Sequence, residues 1–438
     1  MRLLYVLHQF LPEAYSGTEQ YVLACAREGR RRGHDVTIAS LLPDSSVPDP
    51  PVHVYRETYD GFPVVRVRHW MGLLRNEAVR DFHDPHLRPA FARILEEARP
   101  EAVHFFHLRN LGADFLLAAD ERGLRTVVHL MDFWYLCPRF NLLRGDGTLC
   151  FGAPEGGIGC IPCLRPDLVG GDAPSGPLEK SRALASEGIF PSPEPSPAGV
   201  AAALARRPAF LREALARAGA VFSPSRFLRD LFVRNGFGSD RLRVVPYGVP
   251  RDRFAAIPVA RPRTPPRLMF AGVLSPWKGA LVLVEAARRV SGEFELHLFS
   301  RLEEDMFRTY ISRVLEAAKG DPRIRFRGIF DHDSAASVFA EADLLVLPSL
   351  WHENTPFVAL EALASGVPVL GSDVGGIAEI VREGEDGALF PRGDAAALSS
   401  RLQEFVDRPA RIAGLRPRAR GWLEESFDRF EEAYRERP

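Results

Sequence analysis

The sequence predicts an α/β chain of two Rossmann-like, doubly wound domains facing a central cleft. Three observations predict it. Short apolar runs alternate with stretches of helical periodicity. The alternation breaks at a Pro/Arg-rich segment, Ile257–Pro266, and then restarts. A length of 438 residues suffices for two cores.

The first domain is expected over 1–256. Arg2–Leu7 reads as a buried parallel strand. After a loop through Ser16 and Gly17, Glu19–Arg32 has helical spacing and Gly33 ends it. Further strands are expected at Asp35–Ser40, Pro63–His69, Ala102–His107, Thr126–Leu130, Ala220–Ser223 and Leu242–Pro246. Helices are expected at Pro85–Ala98, Val200–Ala218 and Arg226–Arg234. Between Asp132 and Val200 the pattern breaks, so an insertion is placed at about 133–198. Its part from Leu164 to Pro197 is rich in Pro, Gly, Ser and Glu and reads as a long loop. Residues 257–266 read as a linker.

The second domain is expected over 267–420. Its strands are placed at Leu268–Val273, Phe294–Phe299, Ile324–Phe330, Asp343–Pro348, Pro368–Gly371 and Ala388–Phe390. Its helices are placed at Lys278–Val290, Glu304–Ala318, Ala335–Glu341, Phe357–Ala364, Ile377–Arg382 and Asp394–Val406. A last helix within 421–438 carries Trp422, Phe427, Phe430 and Tyr434 at near-helical spacing and is expected to pack back on the first domain.

An apolar content of 46%, a charged content of 26% and a net charge of −1 leave no global field for nucleic acid or an anionic membrane. No apolar run reaches the roughly 18 residues of a membrane span. Residues 1–7 do not read as a secretory leader. A cytoplasmic protein is therefore expected, open to peripheral contact with the inner face of a membrane. Arg27, Arg30, Arg31 and Arg32 are the group that would lean on anionic lipid, with a solvated helix end as the plainer reading. All but three of the 56 basic residues are arginine, which draws attention to Lys180, Lys278 and Lys319.

The most informative segment is Trp351–Gly376, WHENTPFVALEALASGVPVLGSDVGG, at the carboxyl end of an expected buried strand. Glu353 falls in the loop and Glu361 on the helix that follows. Paired carboxylates accept hydrogen bonds from sugar and ribose hydroxyls. Asn354, Thr355, Pro356, Phe357 and Val358 open that helix, whose free N–H groups and dipole favour a diphosphate. Two glutamates at this spacing also occur as a loop carboxylate and a solvated helix position. Lys278 follows another strand and offers a cation to a diphosphate, against the plain reading of a surface lysine.

These residues resemble the signature of the retaining family-4 glycosyltransferases (glycosyl transferases group 1), which have the GT-B fold. The matching positions are Glu353, Glu361–Ala362, Ser365–Gly366, Pro368–Val369, Gly375–Gly376 and Glu379. The resemblance implies a nucleotide-sugar donor, with Glu353 on the sugar, Glu361 on the ribose and Lys278 on the diphosphate. Gly272 and residues 354–358 would complete the donor site. It implies transfer to an acceptor hydroxyl with retention, in glycan or glycoconjugate biosynthesis, without a catalytic metal. Gly17 stands where the family has a Gly-Gly loop closing over the donor phosphate or the acceptor. Three positions depart from the pattern. Val273 stands five residues before Lys278, where the family usually has arginine. Met131 stands before Asp132 in place of histidine. Tyr247 stands where Asn is commoner. His129 would replace the missing histidine as a donor contact, or is a core residue. Glycan, lipid-linked and small-molecule acceptors all fit.

Cys137, Cys150, Cys160 and Cys163 have the spacing C-x12-C-x9-C-x2-C, with several glycines between them. Four thiolates in a large chain read first as a structural zinc site, with an iron–sulfur cluster as the alternative. Disulfides or unligated thiols are the remaining readings. Some family-4 relatives carry a similar arrangement. Cys25 reads as a core residue. The departures at Val273, Met131 and Tyr247 keep a second functional class open: a GT-B shell without catalysis, acting through the cysteine loop as a metal or redox sensor. A phosphorylase finds no support in the sequence for its cofactor lysine.

Overall fold

Apolar runs flanked by glycines and by helices give each half of the chain its parallel strands. The computed structural model describes residues 1–44, 52–70, 77–170, 176–191, 196–254, 263–330 and 334–436. The chain divides into two units. Unit 1 holds Met1–Pro224, Arg229–Val245 and Phe427–Pro438; unit 2 holds Ser225–Leu228 and Pro246–Ser426.

Unit 1 contains eight strands: β1 Arg2–Leu7, β2 Asp35–Asp44, β3 Val52–Tyr59, β4 Phe62–Trp70, β5 Ala102–Phe105, β6 Arg125–His129, β7 Ala220–Ser223 and β8 Leu242–Val244. Their order is β3-β4-β2-β1-β5-β6-β7-β8. Every pairing is parallel except β3 with β4. Asp60 and Gly61 turn that hairpin at φ 50° and 73°. This is the two-residue Asp-Gly turn that suits a twisted hairpin. Strand β3 was not foreseen, because an edge strand exposed along much of its length carries no apolar run. The turn signal at Asp60–Gly61 was present in the sequence.

The helix Leu423–Arg435 belongs to the core of unit 1 from Phe427 onward. Phe430 stacks on Phe222 with centroids 5.5 Å apart, and the Tyr434 hydroxyl lies 2.7 Å from His104 Nδ1.

The stretch from Leu164 to Pro197 is not the long loop expected. Its described residues include the helices Pro166–Val169 and Pro177–Glu187, and the helix Pro197–Leu215 begins three residues before the expected start. Each opens on a proline that reads as a breaker but is favoured in the first helical turn, where its missing N–H costs nothing. The first of them has four residues, too short to show a period. A small core of Ile161, Val169, Val200, Ala201 and Leu204 holds this lobe together. Of the expected linker, residues 257–262 lie outside the described residues.

Unit 2 contains β9 Arg267–Ala271, β10 Glu295–Phe299, β11 Ile324–Phe326, β12 Leu344–Leu347, β13 Val369–Ser372 and β14 Gly387–Phe390. The order is β11-β10-β9-β12-β13-β14, with every pair parallel. This is the 3-2-1-4-5-6 order of the dinucleotide-binding fold, whose direction of winding reverses between β9 and β12. Ligands of such sheets sit outside the carboxyl ends at that reversal. One core of Leu, Val, Ile, Phe and Ala side chains, including Leu268, Leu296, Leu344 and Leu370, fills the sheet's flank.

Candidate active site

The two loops that leave β9 and β12 meet at the reversal. After β9 the chain turns at Gly272, whose φ of 154° is costly for other residues. A short 3-10 turn, Pro276–Lys278, follows, and the helix Ala280–Ala287 starts only after Gly279. Lys278 therefore precedes the helix it was expected to open. Gly279 has φ 72°, and a Cβ there would lie 1.8 Å from the Pro348 carbonyl oxygen at the end of β12. Glycine is what lets the two loops approach.

Lys278 Nζ lies 2.8 Å from Glu353 Oε1. The same oxygen accepts from Ser349 Oγ at 2.7 Å and from the Trp351 indole N–H at 2.8 Å. Lys278 also sits 5.2 Å from the Trp351 ring centroid. Glu353 is 4% exposed, so its charge is desolvated and needs these donors. The Gly375–Gly376 pair closes on this loop from β13. The Gly376 N–H donates to the Glu353 carbonyl oxygen at 2.6 Å. A Cβ on Gly376 would lie 1.5 Å from the Asn354 carbonyl oxygen.

Asn354 extends the network. Its Oδ1 accepts from Ser225 Oγ at 3.3 Å, and its Nδ2 donates to the Tyr247 hydroxyl at 3.4 Å. Tyr247 stacks on Phe357 with centroids 4.5 Å apart. The commoner Asn at 247 is thus replaced by an aromatic that packs under the opening of the helix Phe357–Ala364. Glu379 accepts the N–H groups of Arg226 and Phe227 at 3.0 and 2.9 Å, so its carboxylate is spent on capping the helix Arg226–Arg234. Burial pushes the Glu361 carboxyl up to about 8, with Arg253 pulling the other way. A proton is thus favoured on Glu361 over an exposed carboxylate, and the protonated group can donate as well as accept.

Gly17, His129 and the cysteines lie in unit 1. Gly17 begins the helix Gly17–Arg31. Glu19 there accepts the Ser16 backbone N–H at 2.8 Å and Gln9 Nε2 at 3.0 Å. His129 is fully buried among rings, parallel to Phe106 at 5.8 Å and to His104 at 5.7 Å. Burial lowers its pKa to about 3. A donor would have to open the core to reach it, so the core reading describes it.

The four-cysteine expectation finds no support among the described residues. All five cysteines are free. Burial pushes the Cys160 thiol up to about 12, helped by the nearby Cys137, Cys150 and Cys163. The thiols are thus neighbours. Among the described residues, however, no three His, Cys, Asp or Glu side chains are gathered so as to hold a metal ion. Neither a zinc nor an iron–sulfur site is supported there. Cys150 turns its thiol to the Gly152 carbonyl oxygen at 3.0 Å. The lobe closes instead on its small apolar core and on Gly157, where a Cβ would lie 2.3 Å from the Leu204 carbonyl oxygen.

Sequence reasoning missed a polar group at the carboxyl edge of unit 1. His8 follows β1 and His107 follows β5, with rings 4.1 Å apart. His107 Nδ1 accepts the Arg109 N–H at 3.1 Å, and its Nε2 lies 3.0 Å from Asp132 Oδ2. Two histidines far apart in sequence carried no signal until β1 and β5 were known to pair. The arginines of the first helix are paired internally: Arg27 with Asp60, Arg31 with Glu28, and Arg32 with Glu28 and Asp428. Arg30 lies over the Phe62 ring. They do not form a free basic face.

Residues 265–408 match the family described as glycosyl transferases group 1, and residues 16–156 match the glycosyl transferase 4-like domain. Together the two matched stretches make up most of this chain. The group 1 match spans Lys278, Glu353 and Glu361; the 4-like match spans Gly17, His129 and the first two of the clustered cysteines. A phosphatidyl-myo-inositol mannosyltransferase of Mycobacterium leprae is 33% identical over 171 residues, 38% of this chain and 44% of that protein. A 2-deoxystreptamine N-acetyl-D-glucosaminyltransferase of Streptomyces fradiae is 41% identical over 99 residues, 23% of each. The matches thus span less than half the length of these curated relatives. Among solved structures, Anabaena HepE in complex with UDP and glucose aligns with a TM-score of 0.63 at 15% identity, covering 99% of this chain and 98% of that one. Sucrose-phosphate synthase from Thermosynechococcus elongatus aligns with a TM-score of 0.62 at 18% identity, covering 99% and 94%. The fold is that of the GT-B glycosyltransferases, two Rossmann-like α/β domains in one chain.

Proposed function

We propose that the protein is a retaining glycosyltransferase that binds a nucleotide-sugar donor at the carboxyl edge of unit 2. The observation that carries this reading is the Lys278–Glu353 pair at the reversal between β9 and β12, where a sheet of this order binds nucleotides. A cation and a carboxylate held 2.8 Å apart match the two halves of such a donor. Lys278 and the N–H groups opening the helix Phe357–Ala364 receive the diphosphate. Glu353 accepts sugar hydroxyls, and Glu361 meets the ribose. In the reaction, the bond from the sugar's anomeric carbon to the phosphate oxygen breaks while a bond to the acceptor oxygen forms on the same face. The acceptor's proton passes to the departing phosphate oxygen. Lys278 stabilises the charge that develops there.

The acceptor is a hydroxyl of a glycan, a lipid-linked sugar or a small molecule. No helix among the described residues is long and apolar enough to cross a membrane. The sensor reading, which rests on the departures at Val273, Met131 and Tyr247, draws no support from the thiols, since no metal-holding group is found among the described residues. The test is a panel of nucleotide sugars incubated with candidate acceptors, with the product's anomeric configuration read by proton NMR. Retention is expected. An inverted product would refute the retaining mechanism, and no turnover with any donor would refute the transferase.

A further inference from the structure

We propose that Arg301 supplies the second cation for the donor diphosphate, taking the place left by Val273. The inference rests on the donor reading above. Each phosphoryl group of a nucleotide sugar carries a negative charge, while Lys278 is already neutralised by Glu353 at 2.8 Å. The site therefore lacks positive charge for its ligand unless another cation joins it.

The loop after β9 offers none: Val273, 46% exposed, presents an aliphatic side chain there. Strand β10 lies beside β9, with Phe299 paired to Ala271. The Gly272 N–H donates to the Phe299 carbonyl oxygen at 3.1 Å, and the Leu274 N–H donates to Ser300 Oγ at 3.2 Å. Continuing that register brings Arg301 level with Val273. Neighbouring strands are about 4.8 Å apart, well within the reach of an arginine side chain. Arg301 is exposed, and among the described residues its guanidinium has no ion pair or hydrogen bond.

Other arginines at this edge are worse placed. Arg392, beyond β14, holds the Leu350 carbonyl oxygen at 2.6 Å. Arg327 follows β11, one strand farther from β9. Glu303 and Glu304 weaken the field around Arg301, so its effect must come from direct contact with the phosphate rather than from long-range attraction.

The experiment is calorimetric titration of the full chain with nucleoside diphosphates and the matching monophosphates. Wild type is compared with Arg301→Gln, Lys278→Ala and Arg301→Gln/Val273→Arg. Arg301→Gln should weaken diphosphate binding about tenfold, the scale of one charge-assisted contact, and monophosphate binding much less. Val273→Arg in the same chain should restore most of the loss, which a merely structural role for Arg301 would not allow. Unchanged diphosphate affinity in Arg301→Gln, with affinity lost in Lys278→Ala, would overturn the role of Arg301 and leave the donor site standing. Unchanged affinity in both variants would overturn the donor site, and this inference with it.

Discussion

The two units share a winding pattern and differ at the edge where such sheets bind ligands. At the edge of unit 1, the Arg109 N–H and the Asp132 carboxylate hold His107 from both sides. Burial, then His107 and Arg109, keeps the neighbouring His8 well below the usual histidine range. At the edge of unit 2, a full ion pair is held by two further donors and enclosed by Gly279, Gly375 and Gly376. Backbone topology alone does not decide where a diphosphate binds; the charge and backbone spacing at the carboxyl edge do.

The contrast breaks most sharply at the ion pair. Glu353→Gln keeps the shape of the site and removes its carboxylate. Turnover should fall by roughly 100- to 1000-fold, as when one preorganised electrostatic contact is lost, with the far-UV circular dichroism unchanged. Wild-type turnover would remove Glu353 from the site. The glycines test the enclosure. Gly376→Ala places a Cβ 1.5 Å from a carbonyl oxygen, a backbone neighbour that cannot yield. Urea unfolding should show a loss of about 3 kcal/mol or more. Gly238→Ala in unit 1, with nothing within 4 Å, should stay within about 0.5 kcal/mol of wild type.

A third test sharpens the electrostatic difference. The Glu361 carboxyl is raised from 4.5 to about 8, so the folded state keeps a proton that the unfolded state releases. Its contribution is therefore most favourable below about 4.5 and is lost as pH rises toward about 8. Between those values wild-type stability should decline, relative to Glu361→Gln, by at most about 1.4 kcal/mol per pH unit. Parallel curves for the two proteins would show that the carboxyl is not buried as described. A small effect is expected at His129. His129→Phe should cost less than about 1.5 kcal/mol and leave nucleotide affinity unchanged. Lost affinity would return His129 to the donor site.

Much of this was legible in the sequence, for physical reasons that vary by region. The central strands of unit 2 are buried parallel runs, so Leu344–Leu347 and its neighbours stood out as apolar segments. The motif from Glu353 to Glu379 stood out because its glycines and carboxylates suit close contact and charge. What they contact was not legible. Glu379 caps a helix, and Glu353 shares one oxygen among three donors, facts that depend on folded neighbours. The cysteine spacing left the question open, since C-x-x-C allows a metal but does not place the other two thiols around it. Short proline-led helices and the exposed strand β3 escaped because neither shows an apolar period.

On the proposed reading, the edge of unit 2 binds the donor through Lys278 and Glu353. Calorimetric titration of one nucleotide sugar, chosen from the panel by turnover, into wild type and Lys278→Ala tests this. Saturable binding is expected to wild type, with at least a tenfold loss in the variant, about 1.4 kcal/mol. Equal affinity in the two proteins would refute the pair's role in binding.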